Sequence, residues 1–148
     1  MTSRLEFAIE AAYIAGRSTL RHFQTNVKVD SKADNSPVTV ADRDAETILR
    51  SLIERSFPGE AIFGEEQGGD ADPTRWLVDP IDGTKSFISG VPLFGTLISY
   101  EVDSVPIIGA CYFPAIDMLI YAEQGGGTFV NGRRCTVSKT SELSASVI

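Results

Sequence analysis

At 148 residues with 43% hydrophobic and 22% charged side chains, the chain has the size and composition of one soluble globular domain with a core, and not of a disordered or fibrous segment. Its 13 Lys and Arg against 20 Asp and Glu give a formal charge of -7, which repels a phosphate backbone, argues against nucleic acid as a partner, and makes acidic clusters candidate cation sites. Cys111 and Cys135 have neither metal-ligand spacing nor the density of a disulfide scaffold, and read as reduced thiols in a cytoplasmic protein, while Arg4, Glu6, Glu10 and Arg17 interrupt any apolar run that could form a signal peptide or membrane span.

Apolar or small residues recur at Leu5, Ala8, Ile9, Ala12, Gly16, Leu20 and Phe23, the spacing that puts them on one face of a first helix. Residues 28–40 read as an extended excursion containing Ser36-Pro37. A second helix is predicted from Asp42 to about Ser56, with Ala45, Ile48, Leu49, Leu52 and Ile53 on its apolar stripe and Pro58-Gly59 as its stop.

Beyond Pro58 the pattern changes to short extended runs: Ala61–Phe63, Trp76–Asp79, Gly95–Val102, Ile107–Phe113 and Met118–Ala122, with a further hairpin near Thr128–Val137. Asp103-Ser104 and Pro114 to Asp117 join successive strands so closely that those strands must pair antiparallel. The expected fold class is α+β, with helices packed on a mainly antiparallel sheet. Gly125-Gly126-Gly127 lacks a following Gly-Lys-Ser or Gly-Lys-Thr and reads as a hairpin turn rather than a phosphate loop. The last residues, Ser144 to Ile148, look like an incoming strand.

The most informative run is Trp76-Leu77-Val78-Asp79-Pro80-Ile81-Asp82-Gly83-Thr84-Lys85. An apolar strand delivers Asp79, Pro80 holds it extended, and Asp82 sits at or near the cap of a new helix. Residues three apart on a straight strand face opposite sides, so a turn at Pro80-Ile81 is needed to bring the two carboxylates together. Converging carboxylates need a cation or a proton, and a hard ion such as Mg²⁺ suits an Asp-x-x-Asp turn with the Ile81 carbonyl between them. Gly83 permits close backbone approach, and N–H groups opening the next helix point at the same anion. Gly64-Glu65-Glu66 follows another short strand, and Lys32 to Asp42 ends in a carboxylate at the mouth of the second helix. Each piece also has a plainer reading: Asp79 ending a strand in solvent, Asp82 and Asp42 capping helices, Glu65-Glu66 in a solvated loop.

Taken together, Lys32…Ser36-Pro37-Val38-Thr39-x-Ala41-Asp42, Gly64-Glu65-Glu66 and Trp76-x-x-Asp79-Pro80-Ile81-Asp82-Gly83-Thr84 resemble the inositol monophosphatase family in order and spacing. The resemblance implies the amino-terminal part of that layered fold, a metal-binding domain over residues 1–148 that is the first half of a longer, homodimeric Mg²⁺-dependent phosphatase. It implies that Glu65, Asp79, Asp82 and the Ile81 carbonyl hold the cations, with Asp79 bridging two of them. It further implies that Thr84 works with Glu65 to orient and deprotonate the attacking water, that Asp82 and the Gly83 and Thr84 N–H groups cradle the phosphate, and that Asp42 and Lys32 complete the site. The expected reaction is in-line hydrolysis of a small phosphomonoester.

Gly83-Thr84-Lys85-Ser86-Phe87 followed by Gly90-Val91-Pro92 is similar to the histidinol-phosphate phosphatases of the family, which makes L-histidinol phosphate the expected substrate. Inositol 1-phosphate and 3′-phosphoadenosine 5′-phosphate are the alternatives. The resemblance also implies a further half carrying another ligand aspartate. Without it the chain is expected to bind Mg²⁺ weakly, to turn over slowly or not at all, and to expose a sheet edge. A non-catalytic binding or assembly domain is the alternative from a different class.

Overall fold

The computed structural model describes residues 1–31, 37–69 and 71–146. Helix α1, Ser3–Thr19, opens on Thr2, whose hydroxyl accepts the Leu5 N–H at 3.4 Å. It buries Leu5, Ala8, Ala11, Ala12, Ala15 and Gly16, a stripe of mostly small residues that lets the helix lie close to what it covers. It stops short of the Phe23 expected from the periodicity. The Ser18 and Thr19 hydroxyls donate back to the Ala15 and Gly16 carbonyls at 2.6 and 2.7 Å, a local pairing that competes with helix continuation. Phe23 instead packs from the following turn against Phe87 and Phe94, with ring centroids 5.7 and 5.0 Å away.

Strands β1 (Val29–Ser31) and β2 (Pro37–Thr39) pair antiparallel as a small separate sheet. The chain then enters α2, Val40–Ser56, through a capping box: Thr39 accepts from Ala41, while the Asp42 carboxylate accepts the Thr39 N–H. The helix therefore begins two residues before Asp42, which occupies the third helical position rather than the cap itself.

The main sheet contains β3 (Ala61–Gly64), β4 (Gly68–Gly69), β5 (Arg75–Asp82), β6 (Gly95–Val102), β7 (Val105–Phe113), β8 (Met118–Glu123), β9 (Gly127–Val130) and β10 (Arg133–Cys135). Its spatial order is β10-β9-β8-β7-β6-β5-β3-β4, antiparallel throughout except for the parallel pair β3 and β5. The expected α+β class and mainly antiparallel sheet are what the chain forms. Asp103-Ser104 and Asn131-Gly132 make the two tightest hairpins, all four residues at positive φ, the backbone that a two-residue turn between twisted strands requires. A short helix α3, Thr84–Ile88, interrupts the sheet sequence between β5 and β6.

Alternation along the strands decides which face the helices cover. Trp76, Val78, Ile98, Tyr100, Ile108, Ala110 and Tyr112 join Leu5, Ala8, Leu49 and Ile53 in one core between the sheet and α1 and α2. Phe7, Phe57 and Tyr100 surround Trp76 with ring centroids 4.9 to 5.3 Å from it, and the indole N–H donates to Glu60 at 2.8 Å. Arg4 grips the same carboxylate at 2.6 and 3.0 Å and lies over the Phe57 and Tyr100 rings. A second, smaller core of Ala41, Ile81, Phe87 and Phe94 forms beside α3. Cys111 and Cys135 are free thiols.

At the far end the structure departs from the expected incoming strand. Leu143–Ala145 is a single 3₁₀ turn, closed by Ala145 N–H to Glu142 and Ser146 N–H to Leu143 at 3.1 and 3.0 Å. A strand needs a neighbour for its backbone groups, and none of the described residues pairs with this segment. Val147 and Ile148 lie outside the described residues. Among the described residues no helix is long and apolar enough to cross a membrane.

Gly16 sits where α1 crosses the sheet, and a β-carbon there would come within 2.7 Å of Tyr112 Cδ1 and 3.2 Å of Thr96 Oγ1. Gly16→Val is expected to destabilise the fold by about 1–3 kcal/mol through overpacking, in spite of better helix propensity. Urea unfolding should show part of that loss recovered in Gly16→Val with Tyr112→Leu, and no loss in the single variant would contradict the close approach.

Candidate metal centre

β5 begins as a regular alternating strand, with Trp76, Val78 and Pro80 buried towards the helices and Leu77 and Asp79 on the opposite face. Asp79 lies across from Leu97 and Asp82 from Gly95, three steps on β5 against two on β6. One extra residue has been inserted at Pro80-Ile81, and this bulge returns Asp82 to the side that Asp79 faces. Thr96, itself fully buried, seals it by donating its hydroxyl to the Pro80 carbonyl at 2.7 Å. The Ile81 N–H donates to Asp79 Oδ1 at 3.1 Å, and the Ile81 side chain drops into the smaller core.

Gly83 follows with φ +90°, and a β-carbon there would stand 3.1 Å from the Leu93 carbonyl oxygen. Only glycine takes this left-handed turn without strain. The helix cap is thus Gly83, with Asp82 the last residue of the strand directly before it, next to the cap rather than at it.

Glu65 arrives from the neighbouring strand. The parallel register pairs Gly64 with Val78, and the Glu65 N–H donates to the Val78 carbonyl at 3.1 Å, so Glu65 emerges beside Asp79. Burial, then the hydrogen bond to Glu65 and the charges of Glu65 and Asp82, push the Asp79 carboxyl up to about 8, against the lowering effect of the Ile81 N–H. Cys111, in the same cross-strand row as Asp79 and Leu97, is pushed up to about 12 by burial and by the charges of Asp82 and Asp79. Among the described residues no three such side chains are gathered tightly enough to enclose an ion as they stand; Glu65 and Asp79 are paired with each other.

That pairing is the chemistry of a donor set short of positive charge. Two adjoining carboxylates must share a proton or a cation, and an all-oxygen set with the Ile81 carbonyl nearby suits a hard divalent ion such as Mg²⁺. The residues fit the ion that the motifs imply.

Asp42 reaches this region indirectly. It is fully buried, accepts the Thr39 N–H and hydroxyl at 2.7 and 2.6 Å on Oδ2, and faces the Thr84 hydroxyl at 3.4 Å through Oδ1. Burial raises its pKa, with the bonds to Thr39 and Thr84 acting the other way. Thr84 also donates to the Ile81 carbonyl at 3.1 Å, which ties the start of α3 back to the bulge. Lys32 lies outside the described residues.

Sequence reasoning missed Glu46. It is fully buried on α2 and accepts the Glu66 N–H at 2.7 Å and the Gln67 N–H at 3.2 Å, while Arg50 Nε donates to it at 2.8 Å. The signal was available: Glu46 falls on the same stripe as Asp42, Leu49 and Ile53, where a charged residue has no reason to stand unless it is bonded.

Glu65 and Asp79 line a hollow of about 530 Å³ on the sheet face opposite α1 and α2, whose walls also include Phe63, Leu77, Leu97, Cys111 and Ile120.

The sequence model of the inositol monophosphatase family matches residues 1–148. A histidinol-phosphatase of Chlorobaculum parvum is 45% identical over 151 residues, spanning 100% of this chain and 58% of its own length. An inositol-1-monophosphatase of Mesorhizobium japonicum is 39% identical, covering 97% of this chain and 56% of its own length. Among solved structures, an IMPase from Thermotoga maritima superposes with a TM-score of 0.91 at 33% identity, over 96% of this chain and 56% of that one. The suhB protein of Bartonella henselae gives 0.90 at 34%, over 96% and 57%. The chain thus spans little more than half the length of these relatives.

The shared proton predicts a pH dependence. The folded chain holds it up to about pH 8, whereas an unfolded aspartate releases it near about 3.9. Protonation therefore favours the fold at low pH, and that contribution is lost as pH rises through 8. In chelating buffer the melting temperature should fall between about pH 6 and pH 9. Asp79→Asn, whose amide replaces the protonated carboxyl, should flatten the slope; a variant as pH-sensitive as the parent would exclude the shared proton as its source.

Proposed function

The chain belongs to the inositol monophosphatase family, and on that basis we propose that it is the amino-terminal, metal-binding half of a Mg²⁺-dependent phosphomonoesterase acting on L-histidinol phosphate. The observation that carries the reading is the pairing of the Glu65 and Asp79 carboxylates beside the β5 bulge, with the charge of Asp82 near enough to act on Asp79, which supports a want of positive charge there. Glu65, Asp79, Asp82 and the Ile81 carbonyl are the proposed ligands. The chemistry Mg²⁺ supplies when bound is neutralisation of phosphate charge and acidification of water.

The chain's own groups do the rest. Glu65 and Thr84 orient the attacking water, and Glu65 accepts its proton. The Gly83 and Thr84 N–H groups, at the start of α3 where no preceding turn accepts them, face the phosphate together with Asp82. Asp42, out of contact with ligand, holds the Thr84 hydroxyl; Lys32 is proposed to complete the site on the sequence motif alone. Water oxygen bonds to phosphorus as the ester P–O bond breaks in line with it, and the departing alkoxide takes a proton from solvent.

Support for histidinol phosphate comes from the Gly83-Thr84-Lys85-Ser86-Phe87 run and from two relatives named histidinol-phosphatase, at 45% and 42% identity. Inositol 1-phosphate is the runner-up, on relatives at 39% named for that activity, and 3′-phosphoadenosine 5′-phosphate is the third candidate. The proposed working form is a cytoplasmic homodimer of a longer chain. A binding or assembly role without turnover is the rival reading, favoured by the fact that among the described residues no three metal-binding side chains are gathered around one point.

Phosphate release from L-histidinol phosphate, inositol 1-phosphate and 3′-phosphoadenosine 5′-phosphate, with and without Mg²⁺, tests the proposal. Expected is Mg²⁺-dependent release fastest from the first, reduced by about 100-fold or more in Asp82→Asn, the scale for losing one electrostatic contact with the transition state. A folded parent chain that releases nothing at high Mg²⁺ would leave the rival standing.

A further inference from the structure

We propose that Glu46 is a positioning residue for Glu65, holding the turn after β3 so that the Glu65 carboxylate meets Asp79; this rests on the metal-centre reading above. Four observations converge on it. Glu46 is fully buried, so its charge must be compensated by bonds within the fold. Two of those bonds are to the backbone N–H groups of Glu66 and Gln67, the residues directly after Glu65. Arg50, one helical turn further along α2, donates both to Glu46 and to the Gly68 carbonyl, so the same ion pair grips the turn from its other side. A β-carbon on Gly64 would land on the Glu46 carboxylate and within 2.8 Å of Arg50, which explains why glycine precedes the acidic pair.

Glu65 is therefore fixed from two directions. Its own N–H is bonded to Val78 on β5, which sets its height along the strand, and the next two N–H groups are bonded to α2, which sets the direction in which the chain turns away. The side chain between them has little choice of where to point. An uncharged glutamine at position 46 keeps the volume but places an NH₂ donor against N–H donors that need an acceptor, so one arm of the clasp fails while the core stays filled.

The test is Mn²⁺ binding, followed by electron paramagnetic resonance, to the parent chain, Glu46→Gln and Glu60→Gln, with amide hydrogen exchange on all three. Glu60→Gln is the control, since it weakens a half-buried carboxylate clasp at the opposite end of β5. Expected for Glu46→Gln is a Kd raised about 10–100-fold, the usual effect of losing an outer partner of a metal ligand, with faster exchange at the Glu66 and Gln67 amides. Glu60→Gln should lower the melting temperature and leave the Kd within about twofold of the parent, as expected of a distant site. Parent-like affinity in Glu46→Gln overturns the positioning role while the metal centre stands. Equal losses in both variants reduce Glu46 to a stability residue and overturn it as well. A parent chain that binds no Mn²⁺ overturns the metal centre and the inference together.

Discussion

One inserted residue in β5 is the constraint on which the acidic centre depends. A strand without the bulge would carry Asp79 and Asp82 on opposite faces. The inserted residue is held from both sides: Thr96 ties the Pro80 carbonyl to β6, and Ile81 is buried with Phe87, Phe94 and Ala41. Proline at the bulge donates no ladder hydrogen bond and so surrenders none. Glycine after Asp82 then turns the chain into α3 through a backbone angle that other residues avoid. Each residue of Asp-Pro-Ile-Asp-Gly thus has a separate physical task, and the aspartates converge because the other three make the strand irregular at that point.

That convergence works against folding, since it buries Asp79 beside two further carboxylates and drives its carboxyl up to about 8. The opposing stabilisation lies elsewhere in the same strand. At its other end Trp76 is enclosed by Phe7, Phe57 and Tyr100, with Arg4 and Glu60 closing the cluster. Aromatic pairs of this kind contribute about 0.5–1.5 kcal/mol each beyond their buried area. β5 is therefore anchored at the end away from the carboxylates and strained electrostatically beside them, an arrangement in which the proposed cation would stabilise the fold by replacing the shared proton.

The layer architecture was legible because it rests on periodicity: the stripe from Leu5 to Gly16, the alternation of β6 and β7, and the Asp103-Ser104 turn all speak through local sequence. The need for a turn between Asp79 and Asp82 was legible too, from the mismatch between their spacing and the strand period. The form of that turn was not, because a bulge is defined by its register against β6, and register is a property of two strands. The same limit hid the end of α1, decided by hydroxyl bonds at Ser18 and Thr19, and the pairing of β1 with β2 within a stretch that the sequence marks only as extended. Glu46 escaped because Glu and Arg four apart on a helix usually signify a solvated pair, and its burial depends on a loop twenty residues further on.

Asp42 and Glu46 together give α2 a task that neither has alone. They are four residues apart, about 6 Å along the axis and on nearly the same face of a rigid rod. Asp42 bonds to the hydroxyl of Thr84 at the start of α3, and Glu46 bonds to the turn carrying Glu65. The two segments come from different parts of the sheet and touch the acidic centre from different directions, yet both are referenced to one helical turn. Sliding or rotating α2 would displace Thr84 and Glu65 together rather than pull them apart. The apolar face of α2, packed through Ala45, Leu49 and Ile53, prevents that motion, so packing far from the carboxylates is what fixes the distance between the groups proposed to handle the water.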